Sequence, residues 1–235
     1  MRNFTPYSFS HCIVLSLTIV ALCLVFVIAR KINKGSAMDK GIRYLSAFSL
    51  LIFELLFLIM RIKIEPNKGY LLPLELCTIS LYSISFLLFS YNTKLFRIVI
   101  FWAMVGSFLS LFFPMLAIPF PDFRFLHYFV THAIIFVMAH YLFMVEGVGL
   151  HFKDAFLAWV THFSMLIIVL PVNLICNTNF MFIMKQPGVF SFFFSWSGPI
   201  QPVLWVLFAI LMYHVVYGYI ILLTKIRTLV VYNRE

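Results

Sequence analysis

Three stretches of this sequence carry reactive or polar side chains in otherwise apolar surroundings. They are PLELC (Pro73–Cys77), FPDFRFLHYFVTH (Phe120–His132) and NLICNTNFMFIMKQPG (Asn173–Gly188). Glu75 could act as an acid or base, and Cys77 and the neighbouring Thr78 are potential nucleophiles. His132 is the candidate general base, with Tyr128 on its helix face and His127 close by in sequence. The guanidinium of Arg124 is a planar fork suited to a lipid phosphate, and Lys185 is a second cation for the same task. Asn173 and Asn179 are amide donors for an oxyanion. Assembled around one ester, these groups would perform acyl transfer or hydrolysis.

Each group also has a structural reading of similar weight. Glu75 can be a buried hydrogen-bond partner, for instance of a histidine in the fifth apolar segment, and a lone membrane histidine is often a helix–helix contact. Asp122 and Arg124 can form a local ion pair. Glu54 is read slightly in favour of a structural partner over a second acid. His140, His162 and His214 are read as packing or hydrogen-bonding residues. Gly106, Ser107 and Ser110 mark close helix contact. On an ideal helix Cys77 points about 200° from Glu75, which separates the two unless the helix is distorted. No metal-ligand spacing and no GxSxG elbow is present, so neither a metal nor another cofactor is expected.

What must position these groups is a membrane bundle. The chain has 235 residues, of which 63% are hydrophobic, 19% aromatic and only 11% charged, and its mean hydropathy is +1.04. Soluble domains average about 25% charged residues, so the composition indicates one polytopic helical domain spanning residues 1–235. The net charge of +9 sits in short loops, where it sets topology rather than binding nucleic acid. The four cysteines (Cys12, Cys23, Cys77, Cys176) have no paired spacing, and Cys12 and Cys23 read as small buried hydrophobes. The first apolar run lacks a small-residue cleavage site and is expected to be retained.

Seven spans of roughly bilayer length are expected, near 10–29, 43–61, 70–90, 95–116, 124–145, 152–175 and 199–224. Placing the N-terminus outside puts eleven of the 17 basic residues on the cytoplasmic side. That orientation, with the C-terminus inside, collects all three polar stretches on the outer side and leaves plain cytoplasmic ends. Pro114, Pro119 and Pro121 stop the fourth span and make a joint before the fifth. Segment 177–198 is too interrupted to span and too Phe-rich for water, so a re-entrant or interfacial segment is expected there, with Trp196 at the headgroup level.

In this order, the three stretches resemble the bacterial YwaF-type integral membrane proteins, with a likeness running from about the second span to Trp205. Those proteins are distantly similar to eukaryotic phospholipid acyltransferases and to androgen-induced membrane hydrolases of fatty-acid esters. The resemblance implies a multi-pass protein of the bacterial cytoplasmic membrane acting on lipids. His132 matches the family histidine of the fifth span, and Cys77 matches the bacterial pattern. Glu75 stands where YwaF-type proteins usually carry histidine. The acyltransferases' Pro-Cys-His is here Pro73-Leu74-Glu75, so their cysteine has no counterpart. The leading expectation is lipid acyl transfer or ester hydrolysis in an outer-leaflet pocket. The alternative is a non-catalytic subunit or lipid-binding scaffold, with membrane lipids and a protein partner in the membrane as its contacts. A transporter would show repeats or broken helices in matching halves, and the sequence displays neither.

Overall fold

The computed structural model describes residues 4–29, 31–185 and 200–232. Every regular element among them is helical. Among the described residues, seven segments are long and apolar enough to cross a bilayer: Phe9–Ala29, Ala37–Ile64, Lys68–Phe89, Thr93–Phe112, Phe123–Glu146, Phe152–Cys176 and Val203–Thr228. The expected all-α bundle of seven spans is therefore the observed architecture.

Four spans coincide with single helices: α1 (Phe9–Ala29), α2 (Ala37–Ile64), α4 (Thr93–Phe112) and α5 (Phe123–Glu146). Local chemistry sets their ends. Asn92 Oδ1 accepts the Leu95 N–H at 3.1 Å, and Asp122 Oδ1 accepts the Arg124 N–H at 2.7 Å. Gly147, at φ +70°, supplies the left-handed residue that ends α5. The proline joint behaves as expected, since α4 stops at Phe112 and α5 starts at Phe123. α4 and α5 hold the centre of the bundle, and among the described residues the other spans leave most of their length unburied.

Two spans are interrupted, contrary to the expectation of unbroken helices. The third comprises a 3-10 turn (Lys68–Leu71), an extended stretch through Pro73, and α3 (Leu76–Phe89). Pro73 cannot donate to the preceding turn, and Glu75 remains outside the helix at φ −74° and ψ 140°. The sixth breaks between α6 (Phe152–Ser164) and α7 (Leu166–Cys176), one to two turns ahead of Pro171. The breaks lie at different depths of their spans. The seventh span belongs to the final helix, α8 (Gln201–Tyr232). The expected segment 177–198 is described only to Lys185, where a 3-10 turn (Phe180–Phe182) appears; its remainder, including Trp196, lies outside the described residues.

α1 packs on α5. Its N-terminal side completes the end of α4: His11 Nε2 donates to Leu111 O at 2.8 Å, and Tyr7 O–H donates to Phe112 O at 2.8 Å. Phe4 is buried against Phe125 and Phe129. Cys12 and Cys23 are exposed on α1, not buried as expected. The helix carries apolar residues all round, so composition alone did not reveal its buried stripe.

The face opposite the N-terminus is far from plain. Asp39 Oδ1 accepts Arg43 Nε–H at 2.8 Å and Tyr141 O–H at 2.6 Å, and its Oδ2 accepts the Gly35 N–H at 2.8 Å. Arg43 also pairs with Glu146, which Lys34 reaches at 2.6 Å. Arg97 binds Asp154 at 2.9 Å, tying α4 to α6. Residues that read singly as topology signals are thus a buried ionic knot.

On the N-terminal face, amides clasp the α2–α3 loop to the end of α7. Asn67 Nδ2 donates to Cys176 O at 2.9 Å and to Asn177 O at 3.0 Å. Gly69 allows this close approach, because a Cβ there would lie 2.7 Å from Cys176 Cβ and 3.0 Å from Thr178 Cγ2. Gly69→Ala should therefore cost about 1–3 kcal/mol through overpacking, read as a lower unfolding midpoint in detergent. An unchanged midpoint would show that the loop yields freely.

Candidate functional site

One cavity of about 200 Å3 lies between the start of α3, the second half of α4, α6, α7 and α8. Its lining is largely apolar, and its polar fittings are Glu75, Cys77, Ser110, His162 and Tyr213. Phe113 and Met115 from the proline joint also line it, as do Met181 and Phe182 beyond α7.

The broken third span explains how Glu75 and Cys77 come to line one cavity. The expected 200° separation assumed a helix running through both residues. Glu75 instead lies in extended backbone as the N-cap, so helical spacing does not apply to it, and both residues line the chamber. Glu75 Oε2 accepts the Met181 N–H at 3.1 Å, which joins the first polar stretch to the third. Cys77 Sγ lies 3.7 Å from Ser110 Oγ. It also sits over Gly106, where an added Cβ would be 3.4 Å from the sulfur. Gly106 is thus a close helix contact as expected, and the groove it opens holds the thiol.

Thr78 is half-buried and does not line the cavity. His132 does not line it either, which corrects the expectation that Glu75 would orient this imidazole. Its Nδ1 is 2.6 Å from Tyr128 O, a carbonyl one turn earlier on its own helix, and its ring lies against Tyr128. The carboxylate that meets a fifth-span histidine is Glu54, whose Oε2 is 3.1 Å from His127 Nε2. His127 stacks on Phe57 with ring centroids 3.9 Å apart, so the pair belongs to the α2–α5 contact. This favours the structural reading of Glu54. Tyr128 connects the two regions: its O–H donates to Ser110 O at 3.1 Å, behind the chamber wall.

The two candidate oxyanion amides serve the loop instead. Asn173 is buried; its Oδ1 accepts from Thr178 Oγ1 at 2.8 Å and Phe180 N at 2.9 Å, while Nδ2 donates to Phe180 O at 3.1 Å. Asn179 Oδ1 accepts from Met184 N and Lys185 N, and Nδ2 donates to Lys185 O at 2.7 Å. An Asn with both ends engaged has little left for a ligand. The expected Asp122–Arg124 ion pair is not formed among the described residues: Asp122 caps the helix through the Arg124 backbone, and the Arg124 guanidinium is exposed. Lys185 is exposed as well.

His162, expected to pack or to hydrogen-bond, does form a hydrogen bond, and it also lines the chamber. Its Nδ1 lies 2.9 Å from Tyr213 O–H, and both residues line the cavity. The spacing of a sixth-span histidine and a seventh-span tyrosine carried no local signal. Only the packing of α6 against α8 pairs them.

No curated protein and no solved structure matches the chain. A profile of the TMEM164 family matches residues 6–222, nearly its whole length. With seven apolar spans and that match, the chain belongs to the TMEM164 family of multi-pass membrane proteins.

Proposed function

We propose that this protein handles membrane lipids, holding an acyl chain in the chamber and cleaving or transferring its ester at Cys77. One observation carries the reading: a largely apolar chamber has both a thiol and a carboxylate in its lining. The likeness of the three polar stretches to YwaF-type proteins, and through them to acyltransferases and ester hydrolases, points to the same chemistry. Cys77 is favoured over Thr78 as nucleophile because Thr78 lies off the chamber. The base moves from His132 to Glu75 for the same reason.

The Cys77 proton passes to the Glu75 carboxylate as the sulfur adds to the ester carbonyl. Collapse of the adduct forms a thioester and expels the lysolipid alkoxide, which takes the proton back. Water or a second lipid's hydroxyl then resolves the thioester, releasing fatty acid or an acylated lipid. Arg124 and Lys185, both exposed at that end of the bundle, hold the phosphate of the headgroup.

The test is purified protein in nanodiscs with acyl-labelled phospholipid. Wild type should yield lysolipid together with free or transferred label, and a hydroxylamine-sensitive protein adduct. Cys77→Ala should yield neither above background. A wild-type protein that binds labelled lipid without turnover would overturn this reading. It would favour a lipid-binding scaffold within a larger assembly, which the engagement of both Asn173 and Asn179 by the loop already supports. A stoichiometric membrane partner would then be expected to co-purify.

A further inference from the structure

Neither Cys77 nor Glu75 offers a donor to the oxygen of a bound ester, and the chamber's remaining hydrogen-bonded pair is His162 and Tyr213. Tyr213 is fully buried, and His162 is its hydroxyl's only hydrogen-bond partner among the described residues. If His162 Nδ1 carried the ring proton, it would donate to the phenol oxygen and leave a buried O–H with no acceptor. Leaving such a donor unmet is costly. The satisfied arrangement has Tyr213 O–H donating to Nδ1, which places the proton of the neutral ring on Nε2. Nε2 has no partner among the described residues, while the ring it belongs to lines the chamber.

We infer that Tyr213 fixes His162 as its Nε2–H tautomer, and that this N–H is the chamber's donor to the carbonyl oxygen of a bound acyl ester. The inference rests on the proposed lipid chemistry. Cys77 and His162 both line the chamber, so thiol and donor open onto the same space. As sulfur adds to the carbonyl carbon, the carbonyl's π pair moves to oxygen, and the Nε2–H bond strengthens with that charge. His162 remains neutral and keeps its proton, whereas Glu75 carries the proton that moves. His162 is the catalytic donor in this scheme and Tyr213 its positioning residue. The ligand's required feature is an acceptor oxygen at the end of an alkyl chain, which an ester lipid and a free fatty acid both present.

Two measurements test this independently. Selective 15N-histidine labelling, with the His162 signals assigned by difference against His162→Gln, reads the tautomer without any turnover. Wild type should show a bare Nδ1 and a protonated Nε2. Tyr213→Phe should release that preference. Adding a long-chain methyl ester should shift the Nε2–H proton, and an alkane of equal length should not. A shift with fatty acid alone would assign the site to free acid and overturn the ester form of the proposal. A protonated Nδ1 in wild type would overturn the inference whatever the activity.

The second measurement is turnover of labelled phospholipid. His162→Phe should lower kcat by roughly 10²–10³-fold, the usual loss for one such donor. His162→Gln, whose amide also donates, should recover part of it, and Tyr213→Phe should lower kcat with KM little changed. If Cys77→Ala is inactive while His162→Phe matches wild type, the lipid chemistry stands and this inference fails. If wild type turns nothing over but the tautomer and ester shift are as expected, the chemistry fails and His162 remains a lipid-binding donor.

Discussion

Arg43→Met should destabilise the folded bundle by about 3–5 kcal/mol, the usual consequence of stranding buried charge. The guanidinium sits between two carboxylates: Nε donates to Asp39 at 2.8 Å, and a second nitrogen pairs with Glu146, whose side chain is fully buried. Asp39 also organises the entry to α2 through Gly35 N and meets α5 through Tyr141. Removing the cation leaves Asp39 without a cationic partner, and leaves Glu146 only Lys34, an outlying and largely exposed side chain. Denaturant unfolding in detergent micelles measures the loss. Adding Asp39→Asn and Glu146→Gln should return much of it, because the double removal of charge cancels the desolvation cost. A single-variant loss below about 1 kcal/mol would show that water enters the knot freely.

Glu75→Gln and His132→Phe should separate two locations for the chemistry. Glutamine keeps the oxygen that accepts the Met181 N–H and removes only the charge, so the loop should stay in place. Loss of a general base lowers turnover by roughly 10²–10⁴-fold, and that range is expected for Glu75→Gln on labelled phospholipid. His132→Phe removes an imidazole whose Nδ1 is taken by its own helix and which does not line the chamber. Its turnover should stay within about threefold of wild type, small beside the effect of losing a group at the reacting centre. The reverse pattern would return the base to α5 and dismiss the chamber as the reaction site.

These two variants also mark how far the sequence could be read. Seven spans, their short connections and the proline joint were legible, because apolar runs and prolines act locally. Glu75 and Cys77 were found by their chemistry, but their relation was misjudged, since Pro73 breaks the helix whose periodicity was assumed. His132 attracted attention by its place in a motif with His127 and Arg124. His162 did not, because its partner is 51 residues away on another helix. Asn173 and Asn179 looked like donors in search of a ligand, and only the turn at Phe180–Phe182 reveals where their hydrogen bonds go. The charges at the far face were visible singly. Their assembly into a knot required knowing that residue 43 lies beside residue 146.

The capping of α4 by the N-terminal segment has a consequence for biogenesis. His11 and Tyr7 serve carbonyls 100 and 105 residues later in the chain, and α1 packs against α5 rather than its immediate successor. During synthesis from the N-terminus, α1 must wait in the bilayer, without its main partner, while three more spans are inserted. The ribosome delivers the key well before the lock, so an early helix of nearly uniform apolarity, content in lipid while it waits, is what this order of assembly requires.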